Sequence, residues 1–149
     1  MKIIIASDHG AYELKEAIRK YLTDKGFDLY DDGIYADTDR TNCHYPEIAA
    51  KAAKRVASGE FDYGIILCGT GIGVSITANK INGIRAAHVG CEYDARYTRL
   101  HNDANILCIG GRTMGEGAAC EIAEIFLTTE FSHGERHQKR IDMIAALEK

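Results

Sequence analysis

A regular alternation most constrains this chain: short β-branched apolar runs of strand length give way, repeatedly, to segments of helical period. Lys2 to Ser7 (KIIIAS) is such a run, as expected of a strand buried on both faces. Ala11 to Lys25 then places Leu14, Ala17, Ile18, Tyr21 and Leu22 on one stripe, and Gly26 stands where a left-handed cap belongs. Further strands are predicted at Asp28 to Asp31, Tyr63 to Leu67, Arg85 to Val89 and Ile106 to Gly110. Helices are predicted to open at Pro46 and to run over Val74 to Lys80, Glu92 to Leu100 and Glu116 to Leu127, with a last one over 135–148. The polar stretch Asp32 to Tyr45 reads as a surface loop. With no repeats or linkers, residues 1–149 read as a single α/β domain, a three-layer, doubly wound, Rossmann-like open sheet of five parallel strands with helices on both faces.

Composition narrows the function classes. A content of 46% apolar and 27% charged residues excludes wholesale disorder. A net charge of −4 lacks the broad positive field of a nucleic-acid binder. No apolar run approaches the ~20 residues of a membrane span, and the N-terminus enters a strand without a signal-peptide layout. A cytoplasmic location with no membrane partner is therefore expected. The five cysteines form no C-x-x-C pair, so neither a zinc knuckle nor a dithiol redox motif is indicated. Cys91, Cys108 and Cys120 read as core thiols and Cys43 as a loop thiol without a task.

In doubly wound sheets, ligands bind outside the carboxyl ends of the strands. Strand one ends at Ser7-Asp8-His9-Gly10, strand three at Cys68-Gly69-Thr70-Gly71-Ile72-Gly73, and strand five at Gly110-Gly111-Arg112. An acid, an imidazole, a thiol, a hydroxyl, a run of glycine amides and a guanidinium thus collect at one edge. The glycine loop has no Gly-Lys-Ser/Thr of a P-loop, and only Ile72 separates Gly71 from Gly73, against two residues in the dinucleotide fingerprint. Glycines at alternate positions instead let backbone N–H groups approach an anion. The bland alternative is a tight turn that needs glycine; the neighbouring Cys68 argues against it. Amide-rich surroundings at a helix start favour thiolate, hence a base or nucleophile. His88, near the end of strand four, reads as a packed core residue.

Two clusters lie elsewhere. His101-Asn102-Asp103 closes the fourth helix. Arg136-His137-Gln138-Lys139-Arg140 opens the last one, with Arg136 and Arg140 one turn apart. Cations early in a helix oppose its dipole unless an anion compensates, and paired arginines suit a phosphate dianion.

Taken in order, Ser7-Asp8-His9, Tyr45-Pro46, Cys68 to Gly73, Ala78-Asn79-Lys80, Gly83-Ile84-Arg85-Ala86, His101 to Asn105, Gly110-Gly111-Arg112 and Arg136 to Arg140 resemble the ribose-5-phosphate isomerase type B family, which also holds galactose-6-phosphate isomerase subunits. The likeness spans nearly the whole chain. It implies a cofactor-free and metal-free aldose–ketose isomerase acting on a sugar phosphate as a homodimer or a dimer of dimers. Carried over, it implies Cys68 as base and His101 as the acid that also helps open the sugar ring. Asp8, His9 and Tyr45 would line the substrate, the amides of Gly69, Gly71, Ile72 and Gly73 would form the anion hole, and Asn102, Arg112, Arg136 and Arg140 would bind substrate or its phosphate. In another branch the base is a glutamate just after the loop's last glycine; here that position is Val74. Asn42-Cys43-His44 before Tyr45 departs from the Asp-Tyr-Pro expected of the family.

Moving a carbonyl between C1 and C2 needs a base, an acid and a stabiliser for the enediolate oxygen; one such amide donor is worth roughly 3–4 kcal/mol of barrier. Thr70 is expected to orient Cys68 or to shuttle a hydroxyl proton. His101 ends a helix that returns to the amino ends of the strands, and the Arg136–Arg140 helix follows another returning helix. Both are expected to act across a twofold interface, in sites shared by two chains. Ribose 5-phosphate and ribulose 5-phosphate are the expected pair. The alternatives are a six-carbon substrate (galactose or allose 6-phosphate) and a non-catalytic sugar-phosphate-binding module.

Overall fold

A computed structural model describes residues 1–148. Strands β1 (Ile3–Ser7), β2 (Leu29–Asp31), β3 (Tyr63–Cys68), β4 (Ala86–His88) and β5 (Ile106–Gly110) form one parallel sheet in the order β2-β1-β3-β5-β4. Helices α1 (Tyr12–Asp24), α2 (Tyr45–Ala57), α3 (Ile72–Ala78), α4 (Glu92–Asn102), α5 (Glu116–Thr128) and α6 (Glu135–Ala145) complete the chain. The predicted three-layer doubly wound sheet is the observed one. Residues of β1, β3 and β5 alternate between two apolar layers: Ile3, Ile5, Ile65, Leu67 and Leu107 face α1, α4 and α5. Ile4, Ala6, Ile66, Cys68 and Cys108 face α2 and α3. Among the described residues no helix is long and apolar enough to cross a membrane.

The sheet order, which the alternation leaves open, fixes the site. The chain leaves β1 toward β2, then returns to place β3 on the other side of β1. The crevice at such a reversal is where open α/β sheets bind ligands, and Asp8 and Cys68 stand on its two banks.

Several elements differ from expectation. The α3 helix starts two residues early, with Gly71 at a φ of 76° as its N-cap, so Gly73 lies in the first turn. Tyr45 precedes Pro46 inside α2, and α6 ends at Ala145 rather than near 148. Cys91 is exposed at the N-cap of α4, not a core thiol, whereas Cys108 and Cys120 are buried and Cys43 sits in its loop. His88 is exposed: β4 is an edge strand, so its last residue is not covered as a central strand's would be.

A buried lysine holds the loop that leads to α2. Lys15, fully buried on α1, donates from Nζ to both carboxylate oxygens of Asp31 (2.7 Å each) and to the Ile34 carbonyl (2.8 Å). Paired and hydrogen-bonded in this way, the ammonium is tolerated in the interior. The loop is further tied to β1, since Ser7 N–H donates to Gly33 O (2.7 Å) and Ile34 N–H to Ser7 O (2.9 Å).

Candidate active site

The carboxyl ends of β1 and β3 open into a cleft of about 430 Å³ lined by Asp8, Tyr45, Cys68, Gly69, Thr70, Ile72, Gly73 and Ile76. Cys68 is only 5% exposed, yet it forms part of this wall. Its Sγ accepts the Gly71 N–H at 3.2 Å. The left-handed backbone of Gly71 makes that bond possible, and a Cβ there would lie 2.8 Å from the Ile109 carbonyl carbon, so no other residue fits. Beneath Cys68 lies Cys108, whose thiol is pushed well up, first by burial and then by the neighbouring Cys68 sulfur. It stays neutral and leaves Cys68 as the thiol of the cleft.

Asp8 is buried and its Oδ1 accepts the Gly10 N–H at 2.8 Å, which fixes the carboxylate at the cleft edge. His9 follows it on the surface. Thr70 Oγ1 accepts the Ile72 N–H at 3.3 Å, within the loop. The N-cap Gly71 has no side chain to offer α3; past Ile72, the first-turn N–H groups have no intrahelical acceptor and are available to an anion. The Tyr45 ring lies over Gly73, where a Cβ would come within 2.6 Å of it. The β3 and β5 ends are joined by main chain: Gly111 N–H donates to Cys68 O and Arg112 N–H to Gly69 O, each at 2.9 Å. The Arg112 guanidinium leans on Gly69.

The other candidates lie at the opposite rim of the sheet. Cys68 pairs with Gly110 at the far end of β5, while α4 delivers His101 and Asn102 just before its start at Ile106. Four residue steps of strand, roughly 13 Å, separate the two ends. There the His101 ring lies tilted against that of His137 with centroids 4.2 Å apart, and meets Tyr97 edge-on at 4.9 Å. Ser132 Oγ lies 2.8 Å from His137 Nδ1, and Arg136 Nη2 3.4 Å from His137 Nε2. Partial burial, then the electrostatic influence of His101, Arg136 and Arg140, hold His137 below the usual imidazole range. The sequence places His137 within the Arg136–Arg140 cluster but gives it no role of its own. Asn102 is exposed and its carbonyl accepts from Arg85 Nε at 3.0 Å.

Not every stretch of the resemblance meets this cleft. Asn79 donates to the Ala86 carbonyl (2.8 Å) and accepts its N–H (2.9 Å), so Ala78-Asn79-Lys80 and Gly83-Ile84-Arg85-Ala86 meet to close the β4 edge. A larger cleft of about 700 Å³ includes Tyr63, Arg99, Asp103 and Phe131. Its buried Arg99 is already committed to Asp103, Tyr63 and the carbonyls of Ala104 and Thr129. Among the described residues no group of three or more His, Cys, Asp or Glu side chains is arranged to hold a metal ion.

Residues 3–144 match the sequence profile of the family described as Ribose/Galactose Isomerase. The chain is 40% identical to ribose-5-phosphate isomerase B of Escherichia coli, over 99% of this chain and 97% of that one. It is 42% identical to the galactose-6-phosphate isomerase subunit LacB of Clostridium acetobutylicum, over 99% and 83%. Ribose-5-phosphate isomerase B of Clostridium thermocellum superposes with a TM-score of 0.93 at 45% identity, covering 99% of this chain and 97% of that one.

Proposed function

Because the chain belongs to the ribose/galactose isomerase family, we propose that it interconverts D-ribose 5-phosphate and D-ribulose 5-phosphate through an enediolate, with Cys68 as base. The observation that carries this reading is the Gly71 N–H on Cys68 Sγ at 3.2 Å in the wall of an open cleft. A sulfur that meets an N–H on one side and the cleft on the other is placed to take a C–H proton, with the N–H as a fixed hydrogen-bond partner. As the proton leaves, charge grows on the sugar oxygen, and the amides of Gly69 and Gly73 stabilise it, joined by Ile72 N–H when it leaves Thr70 Oγ1, while Gly71 N–H stays on the sulfur. Asp8 and His9 bind sugar hydroxyls beside the base, and Tyr45 forms the cleft's outer side. Thr70 carries a proton between the two oxygens or orients the sulfur.

The acid and the phosphate anchor come from a second copy of the chain. His101, Asn102, Arg136 and Arg140 lie at the rim of the sheet remote from Cys68, where they cannot serve the same chain's cleft. A homodimer that sets the amino-end rim of one protomer against the cleft of the other completes both sites, with Arg112 joining the phosphate side and α6 reaching the partner. Ile72 and Ile76, 50% and 58% exposed one turn apart on the cleft's rim, are apolar surface suited to such a contact. A dimer of dimers is compatible with the same arrangement.

Incubation with ribose 5-phosphate in heavy water tests the chemistry. The wild type is expected to place deuterium on the exchanging carbon, and Cys68→Ala to lose turnover roughly 10²–10⁴-fold. Turnover retained by Cys68→Ala, or interconversion with no solvent hydrogen incorporated, overturns the reading. The similarity to LacB keeps a six-carbon substrate as the second reading; turnover of galactose and allose 6-phosphates beside ribose 5-phosphate decides between them. A binding module without catalysis predicts no exchange at all.

A further inference from the structure

The reaction scheme leaves His88 without a task. Its Nε2 lies 2.9 Å from the Thr70 carbonyl oxygen. A carbonyl can only accept, so Nε2 carries the proton of this bond. That carbonyl belongs to the peptide unit whose N–H is that of Gly71, and this N–H donates to Cys68 Sγ. The imidazole therefore holds one end of an amide whose other end holds the sulfur. The ring also packs on the loop, since a Cβ at Gly71 would lie 2.9 Å from His88 Cδ2.

We infer that His88 is a positioning residue for Cys68, a role that rests on the reading of Cys68 as base. It fixes the Thr70–Gly71 peptide so that its N–H stays on the sulfur, and it polarises that peptide. Hydrogen bonds in series strengthen one another, and a donor to the carbonyl makes the amide N–H a better donor in turn. Without the imidazole, the Thr70–Gly71 peptide, with glycine on its C-terminal side, turns its carbonyl to water and releases the sulfur. The edge position of β4 puts His88 within reach of Thr70, because β4 ends beside Cys108 and the glycine loop folds over Ile109 and Gly110 just beyond it.

Two variants separate donor from bulk: His88→Leu fills the volume without an N–H, and His88→Gln keeps a donor on a flexible stem. The readings are kcat and KM for ribose 5-phosphate, and the rate at which iodoacetamide alkylates Cys68, followed on its own peptide by mass spectrometry. His88→Leu is expected to lower kcat and the alkylation rate by about tenfold each, the weight of one hydrogen bond, with KM within about twofold. His88→Gln is expected to restore most of both. An unchanged alkylation rate in His88→Leu overturns the inference, as does a loss that glutamine leaves unrepaired. Alkylation reads the sulfur without substrate, so failure of the base assignment registers separately, as activity retained by Cys68→Ala.

Discussion

At the scale of single residues, the site's chemistry divides by what position alone can show. Asp8, Cys68 and the glycine loop were legible because each directly follows a strand of recognisable pattern, and strand ends are where such sheets work. His88 stands at a strand end too, but its burial depends on whether that strand is central or at an edge, which the pattern does not encode. His137 was hidden because its partner His101 is remote in sequence and meets it only through packing of α4 against α6. The lowered protonation of His137 leads to a test. Burial comes first among its causes, and the charges of Arg136 and Arg140 add to it; an anion bound there offsets the charges. Adding inorganic phosphate is expected to move the His137 titration, followed by NMR, toward higher pH, so that the ring gains a proton on binding. No movement, or movement downward, tells against phosphate capture by these arginines.

At the scale of elements, most boundaries were legible, and the misses share a cause. Glycines at 69, 71 and 73 read as loop, yet α3 begins at Ile72; Gly73 is a helical residue whose glycine is required by the Tyr45 ring, which occupies the space a side chain there would fill. Tertiary packing overrode local preference. Asn79 shows the same limit from the other side. Its amide stands in for a neighbouring strand on Ala86, taking both main-chain groups at the open flank of β4. Asn79→Ala is expected to lower stability by about 1–2 kcal/mol, measured by urea unfolding, with kcat changed far less than by Cys68→Ala. A loss of turnover as large as that of Cys68→Ala, with stability intact, would move Asn79 from the frame into the chemistry.

At the scale of the whole molecule, the alternation predicted five parallel strands between two helical layers, and the structure has them. Strand order was not legible, because many orders satisfy the same alternation, yet the order brings Asp8 beside Cys68. The separation of His101 from Cys68 was legible, since a helix following a strand of a parallel sheet must run back. Its consequence is testable by mixing Cys68→Ala and His101→Ala chains, each nearly inactive alone. Random pairing of such chains leaves one intact site in each mixed dimer, so about a quarter of wild-type activity is expected after subunit exchange. No recovery, with mixed dimers shown to form, refutes shared sites.

The join of β3 to β5 beyond Cys68 runs through Gly111 N–H to Cys68 O and Arg112 N–H to Gly69 O, with no side-chain atoms in either bond. The facing bank is made of Tyr45, Ile72 and Ile76 side chains. The first bank is thus set by main chain so closely packed that a Cβ at Gly111 would lie 2.6 Å from Ala11 Cα, and the second is open to substitution. A lineage of such folds can reshape the second bank side chain by side chain while the first keeps its course.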